Sequence, residues 1–136
     1  MPQKQHQTHL LIIHSDQGSN EYMLKDLDLY SIGRDSNCDI RLLSKFVSRR
    51  HATLERHERT DGTYYYQITD GNNGKPSANG LMINGRKRQT HILQDNDEIV
   101  FGPQVSITYT IVSEAIDQFD ITLINPNIMA EAMVEV

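Results

Sequence analysis

What the chain lacks sets its first limits. Its 136 residues include one cysteine, no tryptophan, three phenylalanines and four prolines. A single thiol, Cys38, cannot build an intrachain disulfide framework. With no secretory leader in MPQKQHQTHLLIIHS, it points to a reducing cytoplasm. The first apolar run, Leu10 to Ile13, is four residues long. Nothing approaches the roughly 18–20 apolar residues of a membrane span. Net charge is −5, which disfavours wholesale nucleic-acid binding. The histidines His6, His9, His14, His51, His57 and His91 do not fall at zinc spacings, so neither a metal nor a cofactor is expected.

Two further absences bear on catalysis. Gly71-Asn72-Asn73-Gly74-Lys75 is similar to a phosphate-binding P-loop only in part: the spacing is short, and Pro76 stands where Ser or Thr is needed. Asp95, Asp97 and Glu98 read as a turn leading into a strand, with no paired base beside them. The chain is therefore not expected to be an enzyme.

What is present is a folded, strand-rich pattern. Hydrophobic residues make up 38% and charged residues 23%, a globular balance, and the length suits one domain with a real core. Short apolar segments, many β-branched, alternate with Gly, Asn, Asp and Pro. Strands are predicted at His9–His14, Glu21–Leu24, Leu29–Gly33, Asp39–Leu43, His51–Arg56, Thr63–Thr69, Leu81–Ile83, Ile99–Phe101 and Val105–Val112. Asn84-Gly85 between Ile83 and Arg86 signals a two-residue hairpin, because both residues accept positive φ. Such spacing argues for an antiparallel β-sandwich. After it, Ser113–Phe119 could form a short helix capped by Ser113, and Asn125–Val136 reads as a tail or linker.

Charge is distributed unevenly. Ser31–Arg59 holds seven basic and four acidic residues, a surplus of three on a chain with net charge −5. No lysine or arginine follows Arg88. A local positive zone on an acidic protein suits a small anionic ligand better than a long polyanion.

Three short segments carry the chemistry. Gly33-Arg34 ends a strand, where glycine permits an unusual backbone angle or a close approach. Ser48-Arg49-Arg50-His51 follows, and Asn79-Gly80 comes later. Taken singly, these are a surface arginine, a turn serine, a strand-start histidine and a turn. Together they supply guanidinium groups, a hydroxyl and an amide, the groups that hold a phosphate and the peptide carrying it.

In order and spacing, Tyr30-Ser31-Ile32-Gly33-Arg34, Val47-Ser48-Arg49-Arg50-His51-Ala52, Ser77-Ala78-Asn79-Gly80, Ile83-Asn84-Gly85 and Asp97-Glu98-Ile99 with Phe101-Gly102 resemble the forkhead-associated (FHA) domain family. The resemblance runs from about His9 to Val112. It implies an all-β antiparallel sandwich of about eleven strands over residues 1–112, with 113–136 as a C-terminal tail or linker. It also implies a non-enzymatic module that binds a phosphothreonine-containing protein in Ser/Thr-kinase signalling. By resemblance, Arg34 and Ser48 contact the phosphate, Arg49 adds a side-chain contact, and Asn79 bonds the peptide main chain. Gly33, His51 and Gly80 are architectural, with His51 bracing the Ser48 loop from inside.

The chemistry agrees. A phosphothreonine offers about −1.5 to −2 charges and three acceptor oxygens. Charge-assisted bonds at about 1.5–3 kcal/mol each allow micromolar binding, near −8 kcal/mol, after association costs. The chain departs from relatives in a longer loop at Asp70–Pro76, in Ala78 where some carry a hydroxyl, and in Phe46 where some carry a charge. Two alternatives stand beside this reading: a scaffold that binds through a sheet face without phosphate, and the regulatory domain of a larger enzyme. Thr122, in the acidic stretch Asp117–Thr122, is a candidate phosphorylation site.

Overall fold

The computed structural model describes residues 5–25 and 27–115. The strands are β1 (Gln5–Ser15), β2 (Gly18–Leu24), β3 (Leu29–Gly33), β4 (Ile40–Arg41), β5 (Ala52–Glu58), β6 (Tyr64–Asp70), β7 (Met82–Ile83), β8 (Arg86–Lys87), β9 (Thr90–Ile92), β10 (Asp97–Gly102) and β11 (Val105–Ala115). They form a six-stranded sheet, β2-β1-β11-β10-β7-β8, and a five-stranded sheet, β4-β3-β5-β6-β9. The all-β sandwich of eleven strands is therefore observed. β3 pairs with β4 in parallel, while β1–β2, β10–β11, β10–β7, β3–β5, β5–β6, β6–β9 and β7–β8 pair antiparallel. By its contacts Thr8–Ile111 forms one compact unit.

Period-two alternation builds the core of this unit. Ala52 and Leu54 on β5 point inward, as do Tyr66 and Ile68 on β6, Ile99 and Phe101 on β10, and Ile107 and Tyr109 on β11, each at most 2% exposed. Burying a side chain of this size stabilises the fold by about 1.5–3 kcal/mol. Asn84 and Gly85 have φ of 53° and 83°, so the hairpin joining β7 to β8 turns where the Asn-Gly pair predicts.

Three readings change. Strand β9 was not expected: its only inward residue is His91, so it offers no apolar alternation. Asp39–Leu43 shortens to Ile40–Arg41, because Leu42 N–H bonds Gly33 O and Ser44 N–H then turns back onto Leu42 O. The helix at Ser113–Phe119 is overturned at its start, since β11 runs on through Ala115; the β-branched and aromatic residues of Ile107–Val112 favour extended backbone over a helical turn. The rest of that segment, the tail beyond it and Thr122 lie outside the described residues. Among the described residues, no helix is long and apolar enough to cross a membrane.

Candidate phosphopeptide site

The loop from β4 to β5 carries Ser48, and its shape follows from Gly33. The backbone of β3 passes so close to this loop that a Cβ on Gly33 would lie 2.1 Å from Arg49 O. The close approach, not an unusual φ, requires glycine there. It lets Arg34 N–H donate to Ser48 O at 3.0 Å and Asp35 N–H donate to Arg49 O at 3.2 Å. The Arg34 side chain is exposed, and its Nε donates to Val47 O at 3.0 Å. That bond fixes the guanidinium through its inner nitrogen, and no protein partner takes the two terminal nitrogens among the described residues.

His51 is wholly buried and joins two loops. Its Nδ1 accepts from Ser48 N–H at 3.0 Å, which leaves the proton on Nε2 to donate to Gly80 O at 2.8 Å. The second loop returns the connection: Ala78 N–H donates to Ser48 Oγ at 2.8 Å. The ring of bonds Ser48–His51–Gly80–Ala78–Ser48 closes on itself. Ser48 Oγ accepts within it, so its own proton stays available. Burial, the largest cause, keeps the His51 pKa below its ordinary value, against the opposing Gly80 bond and the charge of Asp70.

Asn79 is exposed, and its Nδ2 donates to Phe46 O at 2.6 Å. Among the described residues, one amide hydrogen and Oδ1 are left over. Gly80, at φ +74°, is held by its N–H to Ser77 Oγ at 2.8 Å. Ser77 in turn is gripped by Asp70: Ser77 Oγ donates to Asp70 Oδ1, and Ser77 N–H donates to Oδ2 at 3.2 Å. The extra length of Asp70–Pro76 is taken up by a tight turn, with Asn72 and Lys75 exchanging two backbone bonds of 2.9 Å. Gly71, at φ +84°, is where this turn folds back; a Cβ there would sit 2.0 Å from Lys75 O. Asp70, Gly71 and Ser77 belong to the scaffold of the site and were missed as such. Only the Asp-Gly pair signalled a turn.

Arg34, Ser48, Arg49 and Asn79 thus share one group of loops. The Arg49 and Arg50 side chains are exposed and form no ion pair among the described residues. The carboxyl of Asp35 nearby is held below its usual pKa, first by the N–H of Asn37 and further by Arg50, Arg49 and Arg41.

A family model for the FHA domain matches residues 30–102, more than half of the chain. The chain belongs to the FHA domain family. The uncharacterized protein sll1895 of Synechocystis sp. is 35% identical over 81 residues, which cover 59% of this chain and 12% of that protein. This FHA domain therefore spans a small part of that curated relative. The crystal structure of the Slr1951 protein from Synechocystis sp. is 51% identical, with a TM-score of 0.71, covering 75% of this chain and 96% of that one. A structure of an FHA domain analysed for its phosphothreonine-dependent interactions is 25% identical, with a TM-score of 0.60 and coverage of 74% and 95%.

A second polar cluster in this FHA domain lies at the other end of β10. Asp97 is buried. Its Oδ1 accepts from Asn84 Nδ2 at 2.8 Å, and its Oδ2 accepts from Gln94 N–H at 2.8 Å and from His91 Nε2 at 2.9 Å. Asp95 Oδ1 takes Ile111 N–H at 2.7 Å and Thr110 Oγ1 at 3.1 Å. These carboxylates brace turns, in keeping with the turn read from the sequence.

Proposed function

We propose that this FHA domain reads phosphothreonine on a partner protein, in signalling downstream of a Ser/Thr kinase in the cytoplasm. The observation that carries the reading is the closed ring of bonds through His51. It satisfies loop backbone internally and, among the described residues, leaves the Arg34 terminal nitrogens, the Ser48 hydroxyl proton and half of the Asn79 amide uncommitted. Those are donors arranged without a protein acceptor, and phosphate is an acceptor-only group with matching charge. In this reading Arg34 and Ser48 take the phosphate, Arg49 adds a side-chain contact, and Asn79 bonds the peptide main chain. Gly33, His51 and Gly80 hold the frame. Family membership and the phosphothreonine-dependent interactions of a structural relative support it.

A library of phosphothreonine peptides with matched phosphoserine and unphosphorylated partners tests the reading. Phosphothreonine peptides bind best, and the missing γ-methyl of phosphoserine costs about 1–3 kcal/mol. Equal affinity for phosphorylated and unphosphorylated peptides would overturn the proposal; equal affinity for the two phosphoresidues would remove the methyl pocket from it.

A further inference from the structure

Lys87 lies on β8, at the edge of the six-stranded sheet. A Cβ on Gly80 would meet Lys87 Cε at 3.0 Å and Nζ at 3.7 Å. The end of the Lys87 side chain, its Cε foremost, therefore lies beside Gly80, the residue that directly follows Asn79. Lys87 is exposed, and among the described residues no carboxylate pairs with it. A path leads to it from Ser48 Oγ, through the Ala78 N–H it accepts, then Asn79 and Gly80, to the end of the Lys87 side chain. The arginines near Ser48 have Asp35 within their field, whereas Lys87 enters no ion pair among the described residues. An unpaired cation at the rim of an anion site attracts a further anion rather than stabilising the fold.

We propose that Lys87 is a specificity determinant, selecting phosphothreonine ligands that carry a second anionic side chain where the peptide passes Asn79. The inference rests on the phosphothreonine reading above. A peptide in extended form advances about 3.3 Å per residue, so a side chain within a few residues of the phosphothreonine can reach this ammonium. A carboxylate and a second phosphate offer the same chemistry here. The phosphate carries more charge and makes the stronger ligand.

The test walks a single glutamate through each position flanking phosphothreonine, with alanine, lysine and phosphoserine at the same positions. Calorimetry then compares the parent chain with Lys87→Gln and Lys87→Glu. At one position glutamate improves binding to the parent roughly two- to fivefold over alanine, and the gain shrinks as salt rises. Lys87→Gln loses that preference, and Lys87→Glu reverses it in favour of lysine. A gain with phosphoserine but not glutamate identifies a second phosphate as the source; a gain with both admits either. Melting temperatures of both variants match the parent, because the side chain is exposed, and Lys87→Gln alone decides the matter should the charge reversal disturb the fold. The same glutamate dependence in all three proteins would overturn the role of Lys87 while leaving phosphothreonine binding intact. Indifference to the phosphate itself would instead overturn the reading beneath it.

Discussion

The two ends of β10 carry two polar clusters built from similar residues, and they differ in what they leave over. At the start of the strand, Asp97 has three donors on its two oxygens, all from the protein. Toward its other end, Gly102 packs against Phe46, whose carbonyl holds Asn79. There the ring through His51 satisfies backbone groups and leaves side-chain donors free. Both clusters use a histidine whose ring is positioned by hydrogen bonds. At one end a carboxylate takes up protein donors and braces its turns; at the other the loop backbone is fixed while the Arg34 terminal nitrogens and the Ser48 hydroxyl keep donors with no protein acceptor among the described residues.

The sharpest way to break the comparison is Arg34→Ala. Removing the side chain costs a phosphothreonine ligand roughly 2–5 kcal/mol of affinity, as isothermal calorimetry would measure, while the melting temperature stays close to that of the parent. Unchanged affinity would make the loop end a brace like the other.

His51→Ala and Asp97→Ala form a pair with smaller effects. Each leaves buried partners unsatisfied, and each lowers stability by about 1–3 kcal/mol in denaturant titration. The difference lies in binding. His51→Ala also weakens the phosphopeptide complex, because Ser48 N–H and Gly80 O lose their common anchor. Asp97→Ala leaves affinity intact under conditions where both proteins are fully folded. A loss of affinity in the Asp97 variant would show that the two ends are coupled through β10.

The smallest effect is a pH dependence. Burial holds the His51 pKa below its ordinary value of 6.5, and burial followed by the charge of Arg59 does the same to His9. Below about pH 6.5 the unfolded chain therefore takes up protons that the folded chain refuses. Stability is full above that pH and declines as pH falls toward the depressed folded values. Denaturant midpoints measured across this range for the parent and for His51→Gln check the assignment: the variant shows a shallower acid decline. At Asp97 burial pushes the pKa up, but the bonds from Gln94, Asn84 and His91 outweigh it and leave the carboxyl below its usual 3.8. Its contribution is present above about pH 3.8 and is lost only as pH falls through the lower folded value.

Much of this was legible in the sequence, for a local reason. Alternation along β5, β6, β10 and β11 is a property of consecutive residues, and so is the positive-φ preference that places the Asn84-Gly85 turn. The order Gly33-Arg34, Ser48 to His51 and Asn79-Gly80 carried the resemblance to the family and the expectation that His51 braces its loop from within. The helix expected from Ser113 failed because a cap residue and an apolar face are weaker than the strand that was already running.

The tertiary structure decided what depends on partners distant in sequence. Which hydrogen bonds the Arg34 guanidinium and the Asn79 amide spend on Val47 O and Phe46 O, and which they keep, is set across separations of 13 and 33 residues. That Gly33 is required by the Arg49 carbonyl, that Asp70 and Ser77 support Gly80, and that Lys87 reaches Gly80 all follow from sheets and loops brought together by core burial. Local preference selects strands and turns over a few residues. The free valences of a binding site are what remains after long-range pairing, and only the folded chain determines that remainder.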